Sequence, residues 1–114
     1  MDSEEMKRRT KMFAINTARL TEKFSDTPIN RAYSGQLIRS GSSVGANYRA
    51  SRRAKSKPDF INKLKIVEEE LDESLFFLEL LEEFNRSFET EIRELYNEGE
   101  TLLKIIVSSI VSSR

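Results

Sequence analysis

Apolar and polar positions alternate along this chain with the three-and-four spacing of helices. Met6, Phe13, Thr17, Leu20 and Phe24 follow one another at intervals of seven, four, three and four, which lines up one side of a helix and predicts a first helix over about 4–24. Ser25, Asp26, Thr27 and Pro28 break that period. Thr27 is placed to accept the free amides of a new helix, and Pro28 suits its first position because no hydrogen-bonded amide is lost there. A second helix is therefore expected over 28–54, with Ile29, Tyr33, Leu37, Ser40, Val44, Asn47 and Ser51 on its core side.

The same stop-and-start chemistry recurs at Ser56, Lys57, Pro58 and Asp59, where Ser56 caps and Asp59 answers it from three residues on. The third helix is expected over 58–84, and its stripe of Phe60, Leu64, Val67, Leu71, Ser74, Leu75, Leu78 and Leu81 is the most regular in the chain. A fourth helix, over about 88–111, carries Ile92, Leu95, Tyr96, Gly99, Leu102, Leu103, Ile106, Val107 and Ile110. Four amphipathic helices joined by short connections place sequence neighbours antiparallel. The expectation is an all-α, antiparallel up-down four-helix bundle over residues 1–114, one domain, with the two central helices longest.

Composition narrows the chemistry. The 114 residues include no cysteine and no histidine, so thiolate chemistry, the commonest general base and the commonest metal ligand are all absent. Paired carboxylates on bundle helices hold di-metal centres chiefly with Glu-x-x-His motifs, and Glu69 and Asp72 lie off the core stripe. The reading is therefore no catalytic residue, no metal site, no cofactor and no enzyme. The N-terminal run MDSEEMKRRTK has no apolar core of signal length and no helix is apolar enough to span a bilayer, so a cytoplasmic protein without membrane contact is expected.

Formal charge is zero but unevenly spread. Residues 1–65 hold 15 Lys/Arg against 6 Asp/Glu, and residues 66–114 hold 4 against 13, or +9 and −9. Oppositely charged halves compensate each other when packed together, and the basic half also offers a surface for phosphates. Arg31, Arg39, Arg49, Arg52 and Arg53 fall opposite the core stripe of the second helix, with Lys55 and Lys57 just beyond. Within that ridge Arg49, Arg52, Arg53, Lys55 and Lys57 are the candidate nucleic-acid contact, and Tyr48 at its edge is the one aromatic placed to stack on a base. A solvated or acid-paired face is the alternative, with Glu68, Glu69, Glu70, Asp72 and Glu73 supplying carboxylates.

Two further features need an explanation. Gly41 and Gly45 sit four apart inside the second helix, each costing ~1 kcal/mol against alanine, which predicts close approach of a neighbouring helix there; a phosphate loop would need a preceding strand. The third helix also carries a second apolar stripe, Ile66, Phe76, Phe77, Leu80 and Phe84, turned away from the first. With Met12 and Ile15 on the first helix and Ile38 on the second, these are the candidate oligomer contacts, because contiguous apolar patches seldom stay bare on soluble monomers. A wide core-facing surface in a monomer is the other reading.

The run GQLIRSGSSVGANYRASRRAKSKPDFINKLKIVEEELDESLFFLELL resembles the bacterial four-helix-bundle family that includes the 23S rRNA intervening-sequence proteins. Its small-residue segment Ser42-Ser43-Val44-Gly45-Ala46-Asn47, and Ser56 followed by Asp59-Phe60, carry the likeness. The resemblance implies a bundle that assembles into a ring, typically a homopentamer, without established enzymatic activity and with an uncertain biological role. A related branch, accessory proteins of diversity-generating retroelements, binds a reverse transcriptase and nucleic acid through a strongly basic ring, from which this neutral chain departs. The functional expectation is a non-enzymatic oligomeric scaffold or interaction protein; the alternative is a nucleic-acid-binding accessory protein using the basic ridge.

Overall fold

The computed structural model describes residues 2–114. Four helices follow in order, α1 (Ser3–Thr21), α2 (Pro28–Ser51), α3 (Lys57–Phe84) and α4 (Glu89–Ser113), with a single 3₁₀ turn, Arg86–Phe88, leading into the last. They form an all-α bundle elongated to 45 × 22 × 19 Å. Each helix packs on its sequence neighbours and α4 closes back on α1; the α2–α3 seam is the most extensive and the α1–α4 seam the thinnest. α3 and α4 are the longest helices, at 28 and 25 residues, and α2 has 24, a correction to the expectation that the two central ones are.

The starts obey the capping chemistry. The Asp2 carboxylate accepts from the Glu5 amide, Thr27 from Asn30 and Ser56 from Asp59, each satisfying a donor that has no partner within its helix. At α3 the answering acid reaches one residue further back than a standard capping box. Asp59 accepts from the Lys55 amide at 3.0 Å and from the Lys63 ammonium at 2.8 Å. These bonds, Lys63 first and then the Lys55 amide, hold the Asp59 carboxyl below its ordinary pKa.

Two of the ends fall about one turn short of expectation, whereas α3 ends at Phe84 as expected. α1 stops at Thr21 and α2 at Ser51, because the amides that follow bond three residues back: Lys23 to Leu20, Phe24 to Thr21, Arg53 to Ala50 and Ala54 to Ser51. Such tightening releases the chain into its next connection. Phe24 stays buried past the end of its helix, its ring 5.7 Å from that of Phe88, which leads into α4.

The core follows the apolar stripes. Phe13, Leu37, Val44, Leu64, Val67, Leu71, Leu78, Leu81, Ile92, Leu102 and Ile106 are all but inaccessible, and each large side chain so removed from water contributes about 1.5–3 kcal/mol before entropy is counted. Ile29 and Val107, expected inside, are exposed. At the start of α2 the inward place belongs to Asn30, whose amide pairs with Asn85. On α4, Leu103, Ile106 and Ile110 fill the space facing the core. Asn47 is half-buried at the edge, where its amide donates to the Ser43 carbonyl and hydroxyl at 2.9 and 2.7 Å.

Small residues set two close seams. Gly41 and Gly45 face α1: a β-carbon on Gly41 would stand 3.1 Å from the Thr17 side chain, and one on Gly45 would stand 3.4 Å from the Thr10 backbone. Across the α2–α3 seam the buried Ser74 hydroxyl donates to that of Ser40 at 2.8 Å, and Ser40 donates on to the Leu37 carbonyl. Charge pairs clip the outer edges. Arg9 on α1 grips Glu98 on α4 with two hydrogen bonds, at 3.0 and 2.5 Å, and Arg93 on α4 donates to Glu82 on α3 at 2.6 Å. Those carboxylates hold both guanidinium pKa values above their ordinary level.

Candidate functional site

The outer stripe of α3 is where the structure departs most from an ordinary solvated helix. Phe76 is 54% exposed, Phe84 51% and Ile66 40%, while Phe77 and Leu80 are half-buried beside them. An edge-on pair links Phe76 and Phe77, with centroids 5.6 Å apart. Tyr33 of α2 joins the group, 6.2 Å from Phe77 and 6.0 Å from Phe84. The result is an aromatic surface spanning the upper α2–α3 seam, with Phe76 and Phe84 projecting from it. Carboxylates flank it: Glu69, Asp72 and Glu83 are exposed and Glu73 is half-buried.

The other expected contact residues lie elsewhere. Met12 and Ile15 on α1 are half-buried, and Ile38 on α2 is exposed. Ile38 stands seven residues before Gly45, which faces α1, so it lies on the α1 side of α2 and apart from the aromatic surface. Sequence periodicity assigned Tyr33 wholly to the core and overlooked Val111, which is 56% exposed and four residues beyond Val107; that spacing of four was the available signal.

The basic ridge divides in two. Arg31 pairs with Asp26 at 2.6 Å, and Arg39 reaches Glu70 at 3.4 Å and also meets Glu73. These two cations are neutralised within the fold. Arg49, Arg52, Arg53, Lys55 and Lys57 are all exposed and, among the described residues, pair with no carboxylate. They gather at the lower end of the bundle, where Arg52, Lys55, Lys57, Phe60 and Ser113 line a shallow open depression of about 430 Å³.

Tyr48, expected at the ridge's edge, is a core residue instead. Burial raises its phenol pKa above the ordinary value. The aromatic that accompanies the cations is Phe60, with the Arg52 guanidinium 5.8 Å from its ring centre.

A second open groove, of about 400 Å³, runs between α1 and α4, with Arg19 and Lys23 on one wall and Glu91, Glu94 and Glu98 on the other. Among the described residues no three carboxylates gather where they would hold a metal ion, and no helix is long and apolar enough to cross a membrane.

This bundle is matched by the family model of the 23S rRNA-intervening sequence proteins over residues 3–108. The chain belongs to that family. It is also similar to the crystal structure of a protein with unknown function from the S23 ribosomal protein family of Bacteroides thetaiotaomicron VPI-5482, determined at 1.70 Å resolution. The two share 31% sequence identity and a TM-score of 0.87, over 96% of this chain and 98% of that one. No curated protein matches the chain. The resemblance first carried by α2 and α3 thus extends over nearly all of the intervening-sequence fold.

Proposed function

We propose that this family member is a non-enzymatic interaction protein that works as a homo-oligomer, its copies meeting through the outer face of α3. The observation that carries this reading is the exposure of Phe76, Phe84 and Ile66 on one stripe. Large apolar side chains grouped in this way on a helix surface mark a contact surface. A ring, five-membered as the family resemblance implies, accommodates the same face on every copy. The absence of cysteine and histidine from the sequence agrees with a role that lacks catalysis. Size-exclusion chromatography with light scattering tests the reading on the wild-type chain beside a Phe76→Glu, Phe84→Glu variant. Loss of an assembly present in the wild type supports it; an assembly indifferent to both substitutions overturns it.

A second reading, a nucleic-acid-binding accessory role, rests on the five cations at the lower end of the bundle that no internal carboxylate neutralises. Binding through phosphates weakens steeply with salt. Retention of a labelled RNA or DNA at low salt that disappears in an Arg52→Glu, Lys55→Glu, Lys57→Glu variant supports it; no retention at low salt removes it.

A further inference from the structure

The depression at the lower end of the bundle combines cations with an aromatic ring. Arg52, Lys55 and Lys57 line it together with Phe60, which is half-buried against the core. The Arg52 guanidinium lies 5.8 Å from the ring centre, within reach of a cation–π contact. A planar cation and a planar ring therefore border the same space.

The connection that carries these cations is held in place. Its amides are all bonded: Arg52 to the Arg49 carbonyl, Arg53 to that of Ala50, Ala54 to that of Ser51, and Lys55 to the Asp59 carboxylate at 3.0 Å. The buried Ser51 hydroxyl donates to the Tyr48 carbonyl at 2.6 Å, and Lys57 opens α3 directly beyond. Backbone positions set in advance lower the cost of ordering a site around a ligand. Asp59, the acid nearest to these cations in sequence, is already taken by Lys63 at 2.8 Å. Among the described residues none of the three cations has a carboxylate partner, so their charge is left for an anion from outside.

A phosphate answers the cations, and a planar group answers the ring and the guanidinium. Bases of single strands stack on aromatic rings and on guanidinium planes. The depression measures about 430 Å³, inside the ~300–1,000 Å³ of sites for small ligands, which is room for a nucleotide rather than a length of helix. Bases inside a duplex are stacked on one another and reach a protein wall only when extruded or unpaired.

We infer that this depression is a single-nucleotide site, with phosphate on Arg52, Lys55 and Lys57 and the base against Phe60 and the Arg52 guanidinium. The inference rests on the nucleic-acid reading and names what that reading leaves open, an unpaired nucleotide in preference to a duplex. The nucleotide comes free or as part of a strand. Arg49 and Arg53, exposed and outside the depression, serve the neighbouring phosphates only if it belongs to a strand.

Fluorescence anisotropy of the full chain at low salt tests this with a short labelled single strand and a blunt duplex of the same length. Adenosine monophosphate and inorganic phosphate are the competitors. The single strand is expected to bind roughly tenfold tighter than the duplex, and Phe60→Leu to weaken it by roughly 5- to 100-fold while leaving the duplex as it is. Adenosine monophosphate should displace the strand at concentrations where inorganic phosphate does not. An Arg49→Gln, Arg53→Gln variant tells the two sources apart: weaker retention of the strand points to a strand, unchanged retention to a free nucleotide, and both support the site.

Equal affinity for single strand and duplex, or single-strand binding indifferent to Phe60→Leu, overturns the nucleotide site while leaving the nucleic-acid reading intact. Equal displacement by inorganic phosphate does the same. No retention of either probe at low salt overturns both. Helical circular dichroism checks that Phe60→Leu folds; if it does not, the strand-to-duplex ratio and the two competitors decide on the wild type.

Discussion

Asn30 and Asn85 exchange two hydrogen bonds inside the bundle, Asn30 Nδ2 donating to Asn85 Oδ1 at 3.0 Å and Asn85 Nδ2 donating back to Asn30 Oδ1 at 2.8 Å. Each amide also donates to a main-chain carbonyl, Asn30 to that of Ser25 and Asn85 to that of Leu81. The pair ties the start of α2 to the end of α3 and fixes where both connections turn. Replacing either by leucine leaves the other amide buried without its partner, which costs about 1–3 kcal/mol. Urea unfolding is expected to show a loss of that size for Asn30→Leu and for Asn85→Leu. The double variant should lose less than the sum of the two, because no orphaned amide remains.

The glycines of α2 make opposite forecasts from one substitution. Gly35→Ala adds a methyl group in open space and is expected to stabilise the folded chain by roughly 0.5–1 kcal/mol through helix propensity. Gly41→Ala puts a methyl group 3.1 Å from Thr17. Thr17 cannot readily swing aside, since its hydroxyl donates to the Ala14 carbonyl at 2.7 Å. Overpacking of this kind costs about 1–3 kcal/mol, enough to outweigh the propensity gain. Thermal unfolding of the two variants below the assembly concentration should move in opposite directions from the wild type.

These cases show what was legible in the chain and what was not. Helix identity and order followed from apolar spacing, and Thr27 and Ser56 announced their helix starts because capping is a local affair of three residues. The Asn30–Asn85 pair joins positions 55 residues apart, and nothing in the local pattern distinguishes Asn30 from a solvated asparagine. Ile29 looked like the inward residue for that reason. Tyr48 and Val107 were misplaced by similar logic: a periodic stripe gives a direction around a helix, while the width of the buried sector depends on how closely its neighbours approach. The second stripe on α3 was readable as a pattern, whereas the involvement of Tyr33 needed the α2–α3 seam.

Asp59 supplies a pH forecast. Its folded-state pKa is lowered, chiefly by the hydrogen bond from Lys63 and then by that from the Lys55 amide. The ionised group therefore stabilises the fold at pH above its unfolded pKa, ordinarily near 3.9, and that contribution disappears as pH falls through the folded value. Asp59→Asn is expected to lower stability at neutral pH and to flatten part of the acid limb of a stability–pH curve. A limb identical to the wild type's would contradict the role assigned to this carboxylate.

The pair between Arg9 and Glu98 bridges the thinnest seam of the bundle, and Arg9 is largely shielded, with its side chain 20% exposed. Arg9→Met keeps much of the apolar stem and removes both hydrogen bonds. A loss of about 1–2 kcal/mol is expected, within the range for hydrogen bonds to charged groups after allowance for partial exposure. Hydrogen exchange should quicken first along α1 and α4, while α2 and α3 keep their protection. Uniform loss of protection over all four helices would contradict the weak-seam account.

The central claim is that the working unit contains more than one copy of this chain. Sedimentation velocity of the wild-type protein across a range of micromolar concentrations, at low and moderate salt, tests it directly. The account predicts a species several times the 13.2 kDa of one chain. A single 13.2 kDa species at the highest concentration and either salt would contradict it.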